Sequence, residues 1–318
     1  MSGAYTTFEE LARLAEPARR VPLYQPGAAK ALMTGGHTSR MRGRGIDFEE
    51  YRGYQPGDDI RSIDWRASAR TGKTLTRIYR EERERPVLVV LDQNPGLFFG
   101  SRLNFKSVTA AQALALLGWK TLHNGDRIGA LLSGLDNQGQ PQHFELRPRR
   151  SRQHLLQILQ HTAAMNQNLK AGIPAHQHGL DTMLASANRL SHPGALVVVI
   201  SDFHNISPAG LKNMALLARH CDVIGIQVFD PLDFHLPTPG LYAISDGQQR
   251  GWLNTYPKTV RDNYSLQAEQ RQTTLIEHLQ RYRIPMLRLD SGLPTDEQMM
   301  TAQAPHHIVH KSMGGAGQ

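Results

Sequence analysis

From residue 86 onward the apolar positions fall into two alternating rhythms. Short unbroken runs, VLVVLD at 87–92 and ALVVVISD at 195–202, have the length and β-branched content of strands covered on both faces. Between such runs, 110–122, 152–164, 180–190 and 208–220 repeat their apolar positions at helical spacing. Further strands are predicted at 127–132, 221–229 and 285–290, and 142–146 alternates like an edge strand. Strands and helices that alternate in this way predict an α/β fold, a doubly wound and mostly parallel sheet with right-handed crossovers. The segment 231–256 breaks the rhythm: two short strand patterns flank Asp246-Gly247, which signals an inserted β-hairpin. A long helix over 259–283 leads into the last strand.

The first part of the chain reads differently. Phe8, Leu11, Leu14 and Ala15 lie at helical spacing, so 8–20 predicts an amphipathic helix ended by Pro17 or shortly after. Residues 22–45, rich in Pro, Gly, Ser and Thr, read as a connector, and 74–79 as a strand. The glycines of RGRGID lack both a preceding strand and a third glycine, which excludes a phosphate loop. The expected organisation is an N-terminal helix/strand segment over 1–85, a sheet domain over 86–290 with its hairpin near 240–255, and a tail over 291–318.

The densest chemistry lies at 51–70, YRGYQPGDDIRSIDWRASAR. Pro56-Gly57 reads as the centre of a type II turn, with Gly57 supplying positive φ. Ile63 and Trp65 alternate with Ser62, Asp64 and Arg66, the period of a half-buried strand. Carboxylates and guanidinium groups this close together predict a charge-assisted hydrogen-bond network with Trp65 as its apolar anchor.

Tyr51, Arg52, Tyr54, Pro56, Gly57, Asp58, Asp59, Arg61, Ile63, Asp64, Trp65, Ala69 and Arg70 together resemble the signature of the bacterial domain of unknown function 58 family. The resemblance continues to about residue 290. It implies that the signature precedes a von Willebrand factor A-like domain. It also implies a protein partner, because members of the family are commonly encoded beside MoxR-type AAA+ ATPases.

In an open α/β sheet the functional crevice lies at the carboxyl ends of the strands where their order reverses. Two buried-type strands end in aspartate, at Asp92 and Asp202. Under the von Willebrand A topology these ends are neighbours, where that fold carries a metal-ion-dependent adhesion site. Its first loop, Asp-x-Ser-x-Ser in the family pattern, is here Asp92-Gln93-Asn94-Pro95-Gly96. Its threonine loop is matched best by Gly179-Leu180-Asp181-Thr182, with Leu180 in the place of threonine. Mg²⁺ demands near-octahedral oxygen ligands. The resemblance therefore implies a degenerate site of Asp92, Asn94 and Asp202 that needs no cofactor and holds Mg²⁺ weakly at most.

Composition narrows the partners. The chain has 318 residues, a formal charge of +8 and a pI near 9.7. Its bases are interleaved with acids, and only Arg147, Arg149, Arg150 and Arg152 form a tight basic cluster. No zinc-finger spacing or RNP-like strand accompanies them, so an acidic protein surface is preferred to nucleic acid as the partner. The lone Cys221, opening an apolar strand, is read as a buried inert thiol and favours a reducing, cytoplasmic compartment. The longest apolar run is too short to span a bilayer. His176 with His178, and His306, His307 and His310, lack the spacing of a zinc site. No nucleophile elbow or Walker motif is present, so the expected function is a non-enzymatic interaction module. The competing reading is a metal-dependent enzyme or nucleic-acid-binding protein using Asp92, Asp202 and the basic surface.

Overall fold

The computed structural model describes residues 3–22, 47–55, 60–80, 85–173, 179–245 and 249–301. The chain divides into two compact units, one of Gly36–Glu84 and one of Met1–Gly35 with Arg85–Gln318.

In the larger unit, α1 (Phe8–Arg13) opens with a capping box. The Thr7 hydroxyl accepts the Glu10 N–H at 3.2 Å, and the Glu10 carboxylate accepts the Thr7 N–H at 2.9 Å. The helix is shorter than the 8–20 pattern suggests, and the chain continues as a 3₁₀ turn at Pro17–Arg20. Leu11, Ala18 and Val21 are buried in the main apolar core of the sheet. That burial groups the first residues with the sheet unit, and not with an N-terminal segment reaching to 85.

The smaller unit pairs β1 (Asp47–Gly53) antiparallel with β2 (Leu75–Arg80), with Tyr51 opposite Arg77. Pro56, Gly57, Asp58 and Asp59, and hence the predicted turn, lie outside the described residues. The strand expected around Ile63–Arg66 is replaced by a 3₁₀ turn at Ile60–Ser62 and a helix, α2 (Trp65–Thr71). Only Ile63 keeps a strand-like contact, an isolated bridge to Thr76. The cause is Asp64: its Oδ1 accepts the N–H groups of Arg66 and Ala67 at 3.1 and 3.0 Å, satisfying donors that a helix start leaves unpaired. Gly72, at φ 67°, ends the helix in the left-handed conformation. Asp64 is buried and also accepts the Tyr51 hydroxyl at 2.9 Å, so part of the expected network exists. Trp65 is no anchor: it is 67% exposed.

The remaining strands are β3 (Pro86–Asp92), β4 (Arg127–Leu135), β5 (Pro141–Arg149), β6 (Leu196–Ser201), β7 (Asp222–Phe229), β8 (Leu241–Ser245), β9 (Arg250–Asn254) and β10 (Met286–Asp290). The helices between and after them are α3 (Lys106–His123), α4 (Arg152–Asn168), α5 (Gly179–Leu190), α6 (Pro208–Leu217), α7 (Lys258–Arg281) and α8 (Thr295–Thr301). One six-stranded sheet runs β10-β7-β6-β3-β4-β5, with β5 antiparallel at an edge and the others parallel. This is the doubly wound α/β arrangement expected from the alternation of patterns.

Alternate residues of β3 feed two separate cores. Val87, Val89 and Leu91 join Leu114 of α3 and Leu155 of α4, whereas Leu88 and Val90 join Leu184 of α5 and Met214 of α6. Each such side chain, removed from water, stabilises the fold by about 1.5–3 kcal/mol. Where β4 meets β5 the register slips between Ile128 and Ala130, and Gly129 sits at the slip. A Cβ at Gly129 would lie 2.6 Å from the Leu146 carbonyl oxygen and from the Pro148 nitrogen, so only glycine fits. The predicted hairpin is present as β8 paired antiparallel with β9.

Asp64→Ala removes the α2 cap together with the acceptor for Tyr51. The expected loss is about 1–2 kcal/mol, concentrated in the smaller unit. Hydrogen exchange should show faster opening of the Ser68 and Gly72 amides, and unchanged protection there would contradict the capping role.

Candidate functional site

The order of strands in the large sheet reverses between β3 and β6, where Val87–Leu91 pairs in register with Leu196–Ile200. Asp92 is the last residue of β3, and Asp202 directly follows β6. The two aspartates therefore meet at the carboxyl ends of adjacent parallel strands, and the Asp202 charge is felt at Asp92.

Asp92 is 3% exposed. Its Oδ2 accepts hydrogen bonds from Asn94 Nδ2 at 2.7 Å and Ser201 Oγ at 2.9 Å. Its Oδ1 is buried with no hydrogen-bond partner among the described residues. Burial, reinforced by the neighbouring Asp202 charge, pushes the Asp92 carboxyl up to about 7 despite hydrogen bonding from Ser201 and Asn94. Asn94 caps a short 3₁₀ turn at Pro95–Leu97, its Oδ1 accepting the Gly96 N–H at 2.6 Å. With the oxygen committed, only the amide NH₂ can face Asp92. Ser201 Oγ also accepts the N–H of Phe203, a non-glycine residue held at φ 57°. Backbone held in that region is a form of strain that clusters at functional sites.

The cation of this crevice is a side chain. Lys106, the first residue of α3, is 5% exposed, and its Nζ lies 3.1 Å from Asp202 Oδ2 and 3.3 Å from both Asp233 oxygens. Burial alone would lower the Lys106 pKa, but the charges of Asp202 and Asp233 outweigh it and the net shift is upward. Lys106, Asp202 and Asp233 line a cavity of about 810 Å³, walled by Phe203 and Gln227 on the sheet side and by Tyr264 on α7.

Sequence reasoning missed Lys106, Ser201 and Asp233. The rule that found Asp92, an aspartate at the end of a buried strand, applied equally to the Asp230-Pro231-Leu232-Asp233 run after β7. Of that run, Asp230 is structural. It is fully buried and accepts Ser101 N and Oγ, each at 2.7 Å, Leu232 N at 2.9 Å and Ser291 Oγ at 3.1 Å. Burial opposes its ionisation, but these donors prevail and the net shift is downward.

The remaining members of the expected metal site point away from one. Leu180 is buried in the second core, and Asp181 Oδ1 accepts the Ser207 N–H at 3.3 Å. Gly96 and Leu180 have no side-chain oxygen, Asn94 offers an N–H, and an ammonium already sits on Asp202. This donor set does not fit a hard divalent cation. Among the described residues no three His, Cys, Asp or Glu side chains form a metal-binding group. The expected histidine groups, His176 with His178 and His306, His307 and His310, lie outside the described residues. Cys221 is buried and its thiol is pushed up to about 11, chiefly by desolvation, as an inert thiol should be.

The basic cluster lies at the other end of the sheet. Arg147, Arg149, Arg150 and Arg152 close β5 and open α4, where Arg150 lies against Gly125 and Arg152 stands 5.9 Å over the Trp119 ring. Lys120 is close by, bonded to the Arg19 carbonyl at 3.1 Å. His123 is lowered first by partial burial and then by the charges of Arg19 and Lys120, and His154 first by partial burial and then by Arg149.

The family model described as Protein of unknown function DUF58 matches residues 50–274. The chain belongs to this family. Curated relatives include the uncharacterized protein Rv1480 of Mycobacterium tuberculosis strain H37Rv and its Mycobacterium bovis counterpart Mb1516. Each is 29% identical over 283 residues, covering 87% of this chain and 84% of the relative. Among solved structures, the conserved hypothetical protein BatB from Bacteroides thetaiotaomicron matches with a TM-score of 0.40 and 11% identity, over 67% of this chain and 93% of that one. An aerotolerance-related membrane protein from Bacteroides fragilis matches with a TM-score of 0.38 and 13% identity, over 68% and 94%. In the described residues of this DUF58 chain no helix is long and apolar enough to cross a membrane.

The Asp92 environment makes the stability of the DUF58 chain pH-dependent. Its carboxyl titrates near 3.8 when unfolded and about 7 when folded. Across that window the folded state holds more protons, so stability falls as pH rises from about 4 to about 7. Asp92→Asn removes the ionisation. The fall in Tm that Asp92 causes in the wild type between about pH 5 and pH 7 should be absent from the variant, and parallel declines would show that Asp92 is not the titrating group.

Proposed function

We propose that this DUF58 chain is a non-enzymatic, cytoplasmic protein-interaction module, an adaptor that works with a MoxR-type AAA+ ATPase in remodelling or maturing another protein. The observation that carries the reading is the hairpin β8–β9 and the turn that follows it. Leu241, Ile244, Trp252 and Tyr256 are 57%, 49%, 71% and 65% exposed there. The register puts Leu241 and Trp252 on one face of the hairpin and Ile244 on the other; exposed side chains of this size mark protein contacts, and Trp and Tyr dominate interface energetics. The crevice adds indirect support. Its aspartates are engaged with an ammonium, a hydroxyl and an amide, which is the chemistry of a settled ion-pair network more than of a general base awaiting substrate. The choice of partner rests on the resemblance to a family whose members are commonly encoded beside MoxR-type ATPases.

The basic end of the sheet favours a second reading, in which the surface around Arg147 and Arg149 meets the phosphate backbone of a nucleic acid. A gel shift with mixed DNA and RNA separates the two. Pull-down of a MoxR-type ATPase from the same genome should succeed with the wild-type chain and weaken about 30-fold in Trp252→Ala, the loss typical of an interfacial tryptophan. Failure of the pull-down together with a shift abolished by Arg147→Glu/Arg149→Glu would replace the first reading with the second.

A further inference from the structure

Lys106 is oddly placed. A lysine in the first turn of a helix faces the positive end of the backbone dipole, where acidic residues are favoured. Phe105 at the N-cap makes no side-chain hydrogen bond to relieve that end. The side chain is also withdrawn from water, a condition in which lysine ordinarily loses its charge. Both costs are offset by the same two groups, Asp202 from the end of β6 and Asp233 from the turn after β7. Asp92, at the end of β3, feels the Asp202 charge and has one oxygen buried with no hydrogen-bond partner among the described residues. Two carboxylates, from the end of β6 and from the turn after β7, thus converge on one positive group, which is the electrostatic problem that a bound divalent cation solves in an oxygen-lined site.

We propose that the Lys106 ammonium is the resident cation of this crevice, built into the chain in place of a divalent metal ion. It neutralises Asp202 and Asp233 and ties the ends of β6 and β7 to the start of α3. A corollary is that Asp202 and Asp233 form a latent site for a hydrated divalent cation, exposed when the ammonium is removed. Two carboxylates completed by water suffice for loose binding of Mg²⁺ or Mn²⁺. This inference rests on the metal-independent crevice of the proposed interaction module but not on its partner. It is tested on the purified chain alone, so its failure is distinct from failure of the ATPase pull-down.

The experiment is thermal melting in chelator and in about 5–10 mM Mn²⁺ or Mg²⁺, a range suited to weak sites. The wild type should give the same Tm in both. Lys106→Met should lose about 5–10 °C in chelator, as a buried charge left unpaired does, and should regain at least half of that in Mn²⁺. Lys106→Arg, which keeps the charge, should show no metal response. If Lys106→Met does not fold in chelator, Lys106→Met/Asp202→Asn, with one negative charge fewer, keeps the test alive. It should melt near the wild type and ignore Mn²⁺. A metal-dependent rise in the wild type, a Lys106→Met Tm within about a degree of the wild type, a deficit that Mn²⁺ leaves in place, or a double variant that still responds to metal would each overturn the proposal.

Discussion

Parallel pairing of β3 with β6, buried on both faces, is the constraint from which the rest of the large unit follows. A strand covered by helices on each side can carry no polar side chain along its length without stranding it away from water. Val87–Leu91 and Leu196–Ile200 obey this without exception. Polar chemistry is thereby confined to the strand ends, and in-register pairing sets those ends side by side. Asp92, Ser201 and Asp202 are neighbours for that reason. Charges crowded into so little water must be cancelled locally. Asp92 does so by keeping its proton to about neutrality, and Asp202 by accepting Lys106.

The legible features of the sequence were those governed by short-range periodicity. Unbroken apolar runs marked β3, β6 and β7, the two-residue alternation of 142–146 marked the β5 edge, and Asp246-Gly247 between strand patterns marked the hairpin. Competing local signals explain the main error. Ile63 and Trp65 alternate like a strand, but Asp64 ahead of Ala67 and Gly72 after Thr71 are helix start and stop signals, and the cap outweighed an alternation only a few residues long. Lys106 was illegible for another reason. Its partners lie 96 and 127 residues away, and nothing near it distinguishes a lysine destined for burial from one on a solvated helix face. Applied to β7, the strand-end rule reaches Asp230 and stops short of Asp233, which lies in the 3₁₀ turn beyond the strand.

The two ends of the parallel sheet have opposite electrostatic character. The carboxyl ends gather Asp92, Asp202, Asp230 and Asp233, with Lys106 on Asp202 and Asp233, while the amino end of β4 and the close of β5 gather arginines. Asp230 has more donors than Asp92, two serine hydroxyls and two backbone amides, and these neutral groups favour its ionised form without a cation. In binding Ser101 and Ser291 it fastens the loop ahead of α3 to the residue after β10.

The edge strand β5 has a bearing on what this molecule avoids. An open sheet edge invites lateral growth by foreign strands, the route to fibrils. Pro141 and Pro148 have no N–H to lend such a strand, and the register slip opposite Gly129 disturbs the regular spacing that a template needs. Arginines on its exposed positions repel a second copy of the same edge. Trp252 open to solvent on the hairpin and a sheet border guarded in this way give one chain two surfaces of opposite tendency, the first apt to hold another molecule and the second resistant to an added strand.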